Sequence, residues 1–248
     1  MANYRRSAAC CRTPAVIGPT YTAKGEFIKT NGVDVYTAGP AGATKAIFII
    51  YDIFGYSSQI LEGADKLAEH YRIFMPDFFE GKPAPMDWMP MDGGPPDEDK
   101  MEELCDGPGE TQQTLRRIES LIVEFQKTYP EIRHWGLLGY CWGGYIVNFA
   151  IDKDSRFQAA VQCHAGWPPG VDVAQTVSAP LLALNSKDEP ETEYQDFRQA
   201  LQVENRFVDF PDMVHGWLSA RGDLSKQSVR EEFERGYGMM LEWFEKYL

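Results

Sequence analysis

An α/β protein with a mostly parallel central sheet and helices on both faces is predicted from three features of the sequence. Strand-like and helix-like stretches alternate from residue 45 onward, the pattern of parallel strands covered by helices on each side. Several strand-like stretches, among them KAIFII and APLLALNS, are nearly continuous apolar runs bounded by polar or turn residues, which suits a strand buried on both faces. No internal repeat or linker divides the 248 residues, so residues 1–248 are expected to form one domain.

The elements follow in order. GEFIKT and VDVYTA, joined by Asn31-Gly32, read as a β-hairpin. KAIFIIYDIFG is a buried strand running into a glycine loop, and residues 58–70 form a helix with Ile60, Leu61, Ala64, Leu67 and Ala68 on one side. YRIFMPDFF is a second buried strand. Residues 76–109 hold seven prolines and the run GGPPDEDK, so they are expected to be a largely irregular, lid-like insertion. Residues 111–128 form an amphipathic helix through Leu115, Ile118, Leu121, Ile122 and Phe125. HWGLLGY, FQAAVQCH, APLLALNS and RFVDF are further strands, with helices to about Ile151, at 190–203 and at 228–247.

Composition narrows the function. Hydrophobic residues make up 44% of the chain, enough for a packed core. A formal charge of −13 argues against nucleic acid or an anionic membrane as partner. Apolar runs such as AIFII at 46–50 are too short to span a bilayer. Residues 1–24 carry Arg5, Arg6 and Arg12, no acid, and the breakers Pro14, Gly18 and Pro19; a loose N-terminal arm is expected. The five cysteines, with Cys10 and Cys11 adjacent, make a poor disulfide framework, so reduced thiols and a cytoplasmic location are expected. There is no CxxC, HExxH, GxGxxG or GK[ST] spacing, and neither a metal nor a cofactor is expected.

Gly139-Tyr140-Cys141-Trp142-Gly143 stands where a strand gives way to a helix. Glycines on both sides suit a strained nucleophile elbow, in which larger side chains would strike the strand and the helix. The Trp142 amide, in the first helical turn, is expected to face the site as an oxyanion donor, and the helix N-terminus favours a thiolate. A thiol nucleophile needs a base and the base an orienting acid. In elbow hydrolases these follow as nucleophile, acid, base. Asp188 follows APLLALNS and His215 follows RFVDF, both at C-terminal strand ends, where open α/β sheets carry their sites. Among the other histidines, His70 and His134 read as structural and His164 as lining the pocket. Glu189, Glu191 and Glu193 fall where the next helix begins, which leaves Asp188 as the expected acid.

GYCWGG, Asp188 in NSKDEP and His215 in VHGW, together with YDIFGY at 51–56 and PDFF at 76–79, resemble the dienelactone hydrolases. These are carboxymethylenebutenolidase-like members of the α/β-hydrolase fold. The resemblance runs from about residue 25 to the end and is nearest the fungal or eukaryotic branch. It implies Cys141 as nucleophile, His215 as base, Asp188 as acid, and an oxyanion hole from the amides of Ile53 and Trp142. Asp52 holds the place of a glutamate that contacts the resting thiol in bacterial members. Arg221 and Lys82 are candidates for the cations that hold a substrate carboxylate there. Phe54, Tyr56, Trp88, Trp142, Trp167 and Trp217 are candidates for an aromatic wall, with ordinary packing the alternative for each.

The expected activity is opening of small enol-lactones or cleavage of activated esters through an acyl-thioester. Two alternatives are a thioesterase or lactonase acting on a bulkier polyketide-like substrate in secondary metabolism, and a scaffold that binds a small molecule without turnover. The expected partner is the small lactone or ester itself, bound by a monomer or homodimer.

Overall fold

Eight strands of the computed structural model form one sheet in the order β1-β2-β4-β3-β5-β6-β7-β8. The structure describes residues 13–18, 20–89, 96–166 and 168–248. The strands are β1 (Glu26–Thr30), β2 (Val33–Ala38), β3 (Lys45–Ile50), β4 (Arg72–Pro76), β5 (His134–Tyr140), β6 (Ala159–Cys163), β7 (Leu181–Ser186) and β8 (Asn205–Phe210). Only β2 runs against its neighbours; β4-β3-β5-β6-β7-β8 are parallel throughout. This is the α/β-hydrolase-like arrangement expected from the sequence.

The hairpin forms at Asn31-Gly32 because both residues take positive φ, 49° and 80°, as a two-residue turn of matching twist requires. Thr30 pairs directly with Val33. β3, β5 and β7 are almost wholly buried, which is why they read as unbroken apolar runs.

The helices are α1 (Ser58–Leu67), α2 (Glu98–Asp106), α3 (Thr111–Thr128), α4 (Trp142–Ala150), α5 (Val171–Ala174), α6 (Glu191–Ala200) and α7 (Gln227–Tyr247). They divide between the two faces, as β5 shows. A side chain at Gly136 would strike Phe244 of α7, whereas one at Gly139 would strike Gly143 and Val147 of α4. Positions three apart on a strand point to opposite faces, so α7, with α1 against it, covers one face and α4 the other.

The described parts of the insertion at 76–109 are more ordered than its prolines suggest. It holds a 3-10 turn (Met86–Trp88) and α2, whose Asp97 caps its N-terminus by accepting from Lys100 N–H. Met101 and Leu104 of α2 pack into the core, so the acidic run GGPPDEDK ends in a helix start rather than continuing as a loop.

The N-terminal segment departs from expectation too. Tyr21 and Lys24 are fastened to the buried Asp65 of α1: the Tyr21 hydroxyl donates at 3.0 Å and the Lys24 N–H at 2.8 Å. The Tyr36 hydroxyl donates to the same carboxylate. Burial first, and then the hydrogen bond to Asp65, push the Tyr21 hydroxyl up to about 12. Residues 13–18 are also tied down, so the loose arm expected over 1–24 does not describe the part from Thr13 onward. Arg5, Arg6, Cys10, Cys11 and Arg12 lie outside the described residues.

Candidate active site

The chain reverses its direction of winding at β3, which leads to β4 on one side while β5 lies on the other. Open sheets bind ligands in the crevice above such a switch point. The turn after β3 and the elbow after β5 both open there.

The elbow is built from close approaches that exclude side chains. Cys141 has φ 52° and ψ −114°, a strained conformation for a residue with a Cβ. A Cβ on Gly143 would stand 2.3 Å from the Ile50 carbonyl oxygen and 2.6 Å from that of Tyr51. The missing side chain thus lets the start of α4 abut the end of β3, which brings Cys141 beside residues 51–54. Gly143→Ala is therefore expected to destabilise the fold by about 3 kcal/mol, measured by urea denaturation of the two proteins.

Cys141 and His215 are both fully buried. His215 Nε2 lies 3.1 Å from Cys141 Sγ, and His215 Nδ1 lies 2.7 Å from Glu189 Oε1. A thiol, an imidazole and a carboxylate thus stand in one row, each within hydrogen-bonding reach of the next.

The residue against the imidazole corrects the sequence expectation, because it is Glu189 and not Asp188. Asp188 Oδ2 instead accepts the backbone N–H of His215 at 2.8 Å. After β7 the chain turns through Lys187 and Asp188, with Lys187 N–H bonded to Met213 O. That turn holds Asp188 against the backbone of the histidine loop. Glu189 has one more methylene and reaches back beneath the ring, while its Oε2 accepts Ser186 N–H. α6 starts only at Glu191, behind Pro190, so Glu189 is no part of the helix N-terminus. The sequence signal was the pair Asp188-Glu189 itself, two adjacent acids in one loop.

The remaining predicted residues divide between the site and its surroundings. His164, at φ 37°, is buried with its ring centroid 5.2 Å from that of His215. Asp52 is fully buried at the turn after β3. Burial pushes its carboxyl above the ordinary value; hydrogen bonds from Ser219 and the Phe54 and Ala220 amides, and the Arg221 charge, pull it back. It thus ties the Ile53–Phe54 turn to the loop that follows His215. Ile53 is buried, and its carbonyl accepts Ala84 N–H. Phe54 lies half-buried with the Arg221 guanidinium 5.1 Å above its ring.

Several candidates for the substrate wall have other roles. The Trp142 ring is buried against Phe78 and Phe79, and its Nε1 donates to Gly109 O at 3.0 Å, anchoring the base of the insertion. Trp217 is core, packed on Phe210 at 4.4 Å and against Gly236 of α7. Tyr56 packs on Tyr51 and Phe27 and donates to Met75 O. Trp88 is half-buried with Lys100 Nζ 5.9 Å from its ring centroid, and Lys82 is exposed. Arg221 is buried, donating to Thr13 O and, at 3.5 Å, to Met89 Sδ. Trp167 lies outside the described residues.

Residues 33–248 match the model of the dienelactone hydrolase family. The chain belongs to that family. An uncharacterised AIM2 family protein of Schizosaccharomyces pombe is 31% identical over 256 residues, covering 97% of this chain and 100% of the relative. A carboxymethylenebutenolidase homologue of Xenopus tropicalis is 24% identical over 254 residues, covering 96% and 98%. Among solved structures, a putative dienelactone hydrolase from Klebsiella pneumoniae superposes with a TM-score of 0.72 at 22% identity, covering 91% of this chain and 99% of that one. As a dienelactone hydrolase family member the chain is a hydrolase, in keeping with the fold and enzyme class read from GYCWGG and its partners. Among the described residues no group of three metal-ligating side chains comes together, and no helix is long and apolar enough to cross a membrane.

Proposed function

We propose that this family member opens small lactones or cleaves activated esters with Cys141 as nucleophile, His215 as base and Glu189 as orienting acid. The observation that carries the reading is the buried row Sγ–Nε2–Nδ1–Oε1, with steps of 3.1 and 2.7 Å, at a strained elbow.

His215 Nε2 takes the thiol proton as Sγ attacks the carbonyl carbon. The negative charge that develops on the carbonyl oxygen is met by two amides. Trp142 is the first residue of α4, so its N–H has no acceptor within the helix. Ile53 heads the turn that Gly143 allows to lie beside the elbow. The carbon–oxygen bond of the ester breaks, and the leaving oxygen takes the proton from His215. Water then attacks the acyl-thioester, giving its proton to the same nitrogen, and the thiolate departs and is reprotonated. Glu189 holds Nδ1 protonated throughout, so that Nε2 presents a lone pair to the thiol.

A thiolate is a good leaving group as well as a good nucleophile. The first tetrahedral species goes forward only when the substrate's oxygen departs readily, which favours enol-lactones and aryl esters over alkyl esters. Brief exposure to the aryl ester 4-nitrophenyl acetate, followed by acid quench and by intact-mass and peptide analysis for an acetyl adduct, tests this. One adduct on Cys141 is expected, absent in Cys141→Ala and slowed in His215→Ala. Label spread over Cys105 and Cys163, or unchanged in Cys141→Ala, rejects the assignment.

A further inference from the structure

We infer that the N-terminal segment from Thr13 to Gly18 is a positioning strap for the catalytic histidine loop, fastened by Gln59 and Arg221 and needed for turnover rather than for folding. The inference rests on the proposed roles of Cys141 and His215.

The loop that carries His215 is itself neither strand nor helix, and the side chains of Trp217 and Leu218 anchor its middle against α7. From Val214 to Gly222 it is a run of turns closed by its own backbone: Trp217 N–H to Val214 O, Ser219 and Arg221 N–H to Gly216 O, and Gly222 N–H to Ser219 O. The placement of its backbone on either side of that anchor also depends on hydrogen bonds from outside the loop. One grip is Asp188 on the His215 N–H, and a second is Asp52 on the Ala220 N–H.

The N-terminal segment supplies the third. Val16 N–H donates to Ala220 O at 2.8 Å. On the next residue of the loop, Arg221 Nε donates to Thr13 O. Gln59, buried near the start of α1, closes the arrangement. Its Nε2 lies 3.2 Å from Val16 O, 3.4 Å from Ala220 O and 3.1 Å from Gly222 O, so one side chain joins strap and loop. Ala15 is buried between these contacts.

The strap also reaches the opposite side of the site. Arg221 lies over the Phe54 ring, and its charge acts on Asp52, whose carboxylate accepts the Phe54 and Ala220 amides. Thr13, the histidine loop and the turn carrying the Ile53 amide thus meet at one guanidinium. A loop freed of one of its grips regains backbone entropy of about 1–2 kcal/mol per residue, and a misplacement of about 1 Å can cost 10²-fold in rate. The core does not depend on the strap in this way, because Asp65 fastens the chain independently from Tyr21 onward.

The test compares the full chain with a variant lacking residues 1–18, using 4-nitrophenyl acetate. The deletion is expected to lower kcat at least about tenfold with KM changed less than about twofold. A synthetic peptide of residues 1–20 added in trans should restore part of the rate. Gln59→Ala in the full chain should lower kcat in the same direction, about fivefold. A deletion variant that melts above the assay temperature and turns over at the full-chain rate overturns the inference. So does a loss that tracks unfolding and disappears on cooling the assay. Should the deletion variant not fold, an unchanged kcat in Gln59→Ala overturns it equally. If the full chain itself leaves the ester intact, the reading of the catalytic site fails instead, and the two results are distinct.

Discussion

Replacing Cys141 with alanine is expected to lower kcat/KM on an aryl ester by about 10⁴-fold or more, with little change in stability. The substitution removes one sulfur atom and leaves everything around it in place. Cys141 N–H still bonds to Cys163 O, and Tyr145 N–H still bonds to the carbonyl of residue 141. Alanine inherits the same strained φ of 52°, so the elbow is neither relieved nor collapsed. What disappears is the atom 3.1 Å from His215 Nε2, and with it the covalent route. Residual hydrolysis through water and the oxyanion donors sets the floor. Cys141→Ser keeps a nucleophile of nearly the same size, but one that His215 must deprotonate from a much higher pKa. It is expected to retain more activity than alanine and still fall about 10²-fold or more below the thiol. Steady-state rates of the three proteins, with thermal melts alongside, check both expectations. A serine variant as fast as the thiol would mean that Cys141 Sγ is not the attacking atom.

The sequence was most legible where one force acts alone. Burial on both faces makes β3 and β7 read as apolar runs, and steric exclusion at Gly139 and Gly143 marks the turn at Cys141, so the fold and the elbow both emerged from pattern. Positive φ at two consecutive residues made Asn31-Gly32 legible for the same reason. Where two neighbouring residues offer the same chemistry, pattern has nothing to choose with. Asp188 and Glu189 share a loop, and the choice between them turns on a bond from Lys187 N–H to Met213 O and on the reach of one methylene. The strap was illegible for a related reason. Val16 and Thr13 engage the histidine loop through backbone atoms, which any sequence would supply. Gln59, the side chain that joins them, looks like an ordinary polar residue of a surface helix. Its burial follows from distant parts of the chain folding onto it, Val16 on one side and, more than 150 positions away, Ala220 and Gly222 on the other.

Glu189→Gln is expected to lower kcat by about 10³-fold, while Asp188→Asn lowers it less than about threefold. Glu189 has two acceptor oxygens and two donors facing them: Ser186 N–H at Oε2 and the His215 ring at Oε1. A carboxylate satisfies both at once. Glutamine cannot, because one of its two terminal atoms is an NH2 group. If its oxygen stays on Ser186 N–H, the NH2 faces His215 Nδ1 and forces the proton onto Nε2, which then has no lone pair for the Cys141 thiol. If the amide turns over, NH2 meets the Ser186 N–H in a buried site, at the cost of an unsatisfied donor there. In either arrangement the fixed negative charge beside the imidazolium is also lost. Asp188 faces a simpler demand, a single backbone N–H at 2.8 Å, and an asparagine oxygen meets it as well as a carboxylate does. Rates for both variants on the same ester decide the matter. Were Asp188→Asn the damaging change and Glu189→Gln the mild one, the acid read from the sequence would be restored and the row Cys141–His215–Glu189 would no longer describe the working enzyme.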